Sequence, residues 1–111
     1  MIEVCFRRDS QNRLSSVFSS GHAEHGDPGE DIVCSAVSAL LQAAWVGLTD
    51  VAQVHVEGHR RSGDLQMRWP PEVRDRADVH AIVATAELAI EQLATQYRGF
   101  VRYVREADPG S

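Results

Sequence analysis

Asp31 to Leu48 reads DIVCSAVSALLQAAWVGL, a helix pattern with almost no polar side. Val33, Val37, Leu40, Ala44 and Trp45 share one face at helical spacing, and Ile32, Ala36, Ala39, Leu41, Ala43 and Val46 fill most of the remainder. The alanines among them are strong helix formers. A helix that is apolar nearly all round has to be buried on several sides. In a chain of 111 residues this requires one domain with a sheet broad enough to cover it, and the spare apolar surface points to a second subunit. Asp31 is a good N-cap residue, and its charge suits the positive end of the helix dipole, so the helix is expected to open there.

The flanking segments supply that sheet. Ile2 to Arg7 alternates, with Ile2, Val4 and Phe6 on one face, and Leu14 to Ser20 follows a polar break at Asp9 to Asn12 as the second arm of a hairpin. Val51 to Gly58 and Asp64 to Trp69 read as another pair of strands around a turn at Gly58 to Gly63. Asp78 to Tyr97 is a second helix, with Val79, Val83, Ala86, Ile90, Leu93 and Tyr97 at helical spacing, and Gly99 ends it. Phe100 to Val104 is a last strand, and residues 105–111 are expected to fray. The order is β-β-α-β-β-α-β. Its natural solution is an α+β, two-layer fold, a mainly antiparallel sheet with two helices packed on one face.

Composition removes several function classes. Hydrophobic residues make up 43% of the chain, which predicts a folded domain rather than a disordered one. The net charge of −5 argues against direct binding of nucleic acid through basic patches and suits a basic protein substrate. Cys5 and Cys34 are not expected to pair, because MIEVCFRRDS has neither the basic start nor the apolar core of a secretory signal. No stretch reaches about eighteen apolar residues without charge, so no membrane span is expected. These features predict a cytoplasmic protein whose thiols stay reduced.

The chemistry is concentrated in GHAEHGDPGEDIVCSAVS, from Gly21 to Ser38. With Asp31 as N-cap, Cys34 falls on the third helical position. There the unpaired first-turn amides and the dipole would stabilise a thiolate and supply oxyanion donors. His22 precedes a segment with Gly26, Pro28 and Gly29, long enough to bring the imidazole over the sulfur as general base and then general acid. Ser38 lies one turn beyond Cys34 on the same face. Other readings stay open on these residues alone. A helix Cys is commonly a small inert hydrophobe, and a loop His commonly satisfies a carbonyl. His22, His25 and Cys34 could hold zinc, although they lack the paired spacings that make such a site specific. Cys5 reads as core, and His55, His59 and His80 as structural or solvated.

Gly21-His22-Ala23, then Gly29, Asp31-Ile32-Val33-Cys34 and Ser38, together resemble the signature of the bacterial ribosomal-processing cysteine proteases, the Prp or YsxB-like family. The resemblance covers essentially the whole chain. It implies a homodimeric, cofactor-free and metal-free cysteine endopeptidase with a His-Cys dyad. Such an enzyme removes an N-terminal extension from a large-subunit ribosomal protein precursor, the twenty-seventh, often after a Phe. His22 would be the base and Cys34 the nucleophile, with Gly21, Asp31 and Ser38 shaping the site. The alternative is a non-catalytic factor that binds a ribosomal protein or assists ribosome assembly through the same cleft.

Overall fold

The computed structural model of the chain describes residues 1–21, 28–61 and 63–109, with side chains from residue 32 onward in the second stretch. Strands β1 (Ile2–Arg8) and β2 (Leu14–Ser20) form the expected hairpin. Helix α1 (Pro28–Val46), strands β3 (Glu57–Arg61) and β4 (Asp64–Arg68), helix α2 (Ala77–Gln96) and strand β5 (Val101–Ala107) follow. The sheet order is β3-β4-β2-β1-β5, and only the β1 and β5 pair is parallel. This is the two-layer α+β architecture that the order of elements implies.

One apolar face of the sheet is covered by both helices. Ile2, Val4 and Phe6 of β1, Val17 of β2, and Leu65 and Met67 of β4 belong to a single core with Val33, Val37, Leu41, Ala44, Val79, Val83 and Ile90. Each fully buried Leu or Ile there contributes roughly 1.5–3 kcal/mol. The buried stripe of α1 contains Leu41 rather than Leu40, and Trp45 is half-buried at its margin. Cys5 is buried as expected, but it stands on the opposite sheet face, in register with Phe18 and Val104.

Three boundaries differ from the sequence reading, each for a local reason. Helix α1 starts at Pro28, not at Asp31. Proline suits the first helical position because its missing amide hydrogen would have no helical partner there. Helix α1 then passes into a π-helical turn, Gly47–Val51, where the amides of Ala52 and Val54 bond back to the carbonyls of Gly47 and Leu48. Those amides are unavailable to a sheet, so the strand expected from Val51 begins only at Glu57. Gly58 therefore lies inside β3, and the turn is the shorter link from Arg61 to Asp64. At the other end, residues 105–107 continue β5, and Asp108 is buried, accepting from Ser15 Oγ at 2.8 Å and from Arg68. The tail expected to fray is anchored at least that far.

The apolar length of helix α1 also departs from the expectation of no membrane-spanning stretch. Ser35, Ser38, Gln42 and Thr49 interrupt the apolar run. Even so, Ile32–Val51 has a mean hydropathy of 1.7 and is long and apolar enough to cross a membrane by length and composition. In this fold it is the helix that packs the sheet.

The hairpin is closed by a buried acid. Asp9 accepts from the Gln11 and Arg13 amides at 2.9 and 3.0 Å, and from the Arg13 and Arg74 guanidinium groups, each at 3.0 Å. Arg74 is itself buried and also donates twice to the Trp69 carbonyl. Burial pushes the Asp9 carboxyl up, but the Arg13 amide, the Arg74 guanidinium and the Gln11 amide outweigh it and hold it at about 2. A depressed folded-state value stabilises the fold above the ordinary carboxylate range, and that contribution disappears as pH falls from about 4 toward 2. Asp9→Ala should cost roughly 3 kcal/mol in denaturant unfolding at neutral pH, because Arg74 keeps its buried charge without a counterion. The same variant should lose less stability than wild type between pH 4 and pH 2, measured by acid titration of the unfolding midpoint.

Candidate active site

A cleft of about 500 Å³ opens at the end of the sheet where α1 crosses it. Ile2, Val37, Leu41 and Leu65 supply its apolar floor, and Cys34 and Ser38 look into it from α1. Cys34 is half-buried and packs against the core, yet reaches the cleft. A core helix with one thiol on its cleft side is a rigid mount for a nucleophile.

The longer helix changes the local electrostatics. Cys34 is the seventh residue of α1, nearly two turns from its start, instead of the third. The unpaired amides belong to the first turn, and the dipole effect falls off there. Those amides are therefore not the oxyanion donors beside the sulfur that an Asp31 cap implied. Asp31 lies in the first helical turn by its backbone, and its side chain falls outside the described residues. His22, the expected base, also falls outside them, as does His25. Among the described residues no group of three His, Cys, Asp or Glu stands close enough to hold a metal.

Gly21 has a specific backbone reason to be glycine. Its φ is +94°, and a Cβ there would stand 2.4 Å from the Met1 carbonyl oxygen. Its amide donates to the Gly63 carbonyl at 3.0 Å, tying the exit of β2 to the β3–β4 turn. Gly21 thus stands at a fixed point on the cleft edge. Ser38 Oγ accepts from Gln42 Nε2 at 2.7 Å, and Gln42 Oε1 accepts from Arg60 at 2.9 Å.

Sequence reasoning missed Ser19, Gln42, Arg60, Arg61 and Asp64, all of which line the cleft. Gln42 was within reach of it. Cys34, Ser38 and Gln42 recur every four residues as one polar line along an otherwise apolar helix. The β3 and β4 residues carry no such signal, because only the sheet order brings them beside α1.

Comparisons with known proteins agree with this fold. The family model described as cysteine protease Prp matches residues 1–102. The ribosomal processing cysteine protease Prp of Staphylococcus aureus strain Mu50 is 28% identical over 105 residues, covering 92% of this chain and 96% of its own. A crystal structure from Streptococcus mutans superposes with a TM-score of 0.83 at 28% identity, over 97% of this chain and 96% of that one. The essential ribosomal processing protease Prp from S. aureus, in complex with a substrate peptide, gives a TM-score of 0.84 at 21% identity, over 95% and 99% of the two chains.

Gly21→Ala should destabilise the protein by about 2 kcal/mol or more, since both the left-handed backbone and the contact with Met1 oppose a Cβ. Thermal unfolding checks this. An unchanged midpoint would show that the end of β2 yields without cost.

Proposed function

The chain belongs to the Prp family of cysteine proteases, and from that premise we propose that it removes the N-terminal extension of a large-subunit ribosomal protein precursor, the twenty-seventh. The observation that carries the reading is Cys34, a half-buried thiol on the core helix that opens into a cleft also lined by Ser38 and Gly21. The proposed chemistry uses a His22-Cys34 dyad. His22 takes the thiol proton, and the Cys34 sulfur attacks the scissile carbonyl. The C–N bond then breaks as His22 returns the proton to the leaving amine. Water, deprotonated by the same imidazole, hydrolyses the thioester and restores the thiol. No cofactor or metal enters this sequence. A S. aureus Prp structure described as carrying a covalently linked product peptide supports a covalent route in that relative.

The setting follows from the same reading. A ribosomal protein precursor is met in the cytoplasm, where Cys5 and Cys34, both free, remain thiols. We also infer a homodimer. Ile32, Ala39, Ala43 and Val46 lie on one side of α1 turned from the core, with Ile32 69% and Val46 52% exposed. That apolar stripe suits burial against a second copy.

A non-catalytic binder of the same ribosomal protein is the competing reading. It is favoured by the distance of Cys34 from the first-turn amides. Thiol alkylation separates the two. A catalytic Cys34 should react near neutral pH far faster than Cys5, and His22→Ala should slow it. Equal, slow labelling of both thiols would favour the binder.

Two outcomes are expected. Incubating the host's ribosomal protein precursor with wild type should give one defined N-terminal truncation by intact mass, and Cys34→Ala should give none while unfolding within about 1 kcal/mol of wild type. Light scattering at micromolar concentration should report a dimer for wild type and a monomer for Ala43→Glu. A monomeric wild type would remove the dimer.

A further inference from the structure

We propose that Arg60 and Arg61 form a cationic subsite at the mouth of the Cys34 cleft that selects an Asp or Glu side chain of the peptide substrate. The inference rests on the protease reading above and adds a specificity to it. Both arginines line the same cleft as Cys34. They are consecutive on β3, at the edge of the sheet, in register with Leu65 and Asp64. Alternation along a strand sends them to opposite faces, so they bracket the rim where the cleft turns around the sheet edge. Arg60 reaches the helix side, where its Nη1 donates to Gln42 Oε1 at 2.9 Å.

Neither guanidinium holds a carboxylate among the described residues. Elsewhere Arg7, Arg8, Arg13, Arg68, Arg74 and Arg76 each hold a carboxylate of this chain. Arg60 is oriented by a neutral carboxamide. Arg61 has no hydrogen bond or ion pair among the described residues. The carboxylate that shares their cleft, Asp64, is engaged by His59 Nε2 at 2.8 Å. In a protein of net charge −5, two adjacent guanidinium groups that hold no carboxylate among the described residues stand beside an apolar floor. Guanidinium groups match a carboxylate by paired hydrogen bonds, and the low-dielectric wall strengthens the field they project into the cleft.

The spacing states where the acid should fall. Cys34 and Gln42 are eight residues apart on α1, which is about 12 Å along the axis. An extended peptide covers that length in about three to four residues. The favoured Asp or Glu therefore lies three or four positions from the scissile bond, on the side that runs toward β3.

The test is cleavage of a synthetic mixture of defined tetradecapeptides by wild type, Arg61→Glu and Arg60→Gln, with products read by mass spectrometry. Wild-type cuts should be enriched for acid at that distance. For a matched pair differing only by Glu or Lys there, kcat/KM should favour Glu by about fivefold at low salt and less at high salt, as expected of a partly exposed charge pair. Arg61→Glu, which removes no bond to a described residue, should invert the preference. Arg60→Gln should weaken it. Cuts without acid preference, or a preference that survives both substitutions, would overturn the subsite. If wild type cuts no peptide, the protease reading fails by itself. Fluorescence anisotropy of the same Glu and Lys peptides then decides the subsite. Tighter binding of the Glu peptide, lost in Arg61→Glu, sustains it, and equal binding refutes it.

Discussion

The structure depends on the burial of one side of α1 against the apolar face of β1, β2 and β4. Val33, Val37, Leu41 and Leu48 are almost wholly removed from solvent there, and α2 closes the other flank with Val79, Val83 and Ile90. Hydrophobic burial is non-directional, so it does not by itself choose a rotation of the helix. The rotation is chosen by interdigitation with the β-branched strands and by the few polar positions that must stay outside. Cys34, Ser38 and Gln42 are three of those positions, and the orientation that buries Val37 and Leu41 presents them to the cleft. Core packing and the aiming of the thiol are one event.

Buried polar groups then fix what the core leaves loose. Glu87 of α2 is 7% exposed and accepts hydrogen bonds from both terminal nitrogens of Arg8 and from the Tyr103 hydroxyl. Burial raises the Glu87 carboxyl, but the Arg8 and Tyr103 bonds outweigh it and leave it below the ordinary value. Burial and the Glu87 carboxylate push the Tyr103 phenol well above its own. This cluster locks α2 to the parallel pair of strands, far from the cleft, and the Asp9 cluster does the same for the β1–β2 hairpin. Both place charge-assisted bonds where a sheet of this width would otherwise slide against its helices.

How much of this was legible in the sequence follows from which interactions are local. The alternation of Ile2, Val4 and Phe6 and the helical spacing of Val79, Val83 and Ile90 are single-element patterns, and they located the strands and helices. The motif around Cys34 named the thiol, and the fold puts it in a cleft. The start of α1 was misread because Asp31 is a good cap in isolation, whereas Pro28 costs the helix nothing at its first position. The strand at Val51 was misread because its alternation is real, but the π turn had already claimed its amides. Arg60 and Arg61 were invisible as site residues, since their relation to Cys34 exists only once β3 takes the edge of the sheet.

The backbone of Met1 closes over Gly21, and Ile2 forms part of the cleft floor, so the amino terminus is built into the wall of the Cys34 cleft. Anything fused ahead of Met1 begins its path at the wall of that cleft. An affinity tag at that end would act as a tethered competitor at high effective concentration, with its imidazoles delivered beside the thiol. Asp108 stands at the Arg8 end of β1, at the other end of the sheet. Handles for purification, immobilisation or fluorescence belong there.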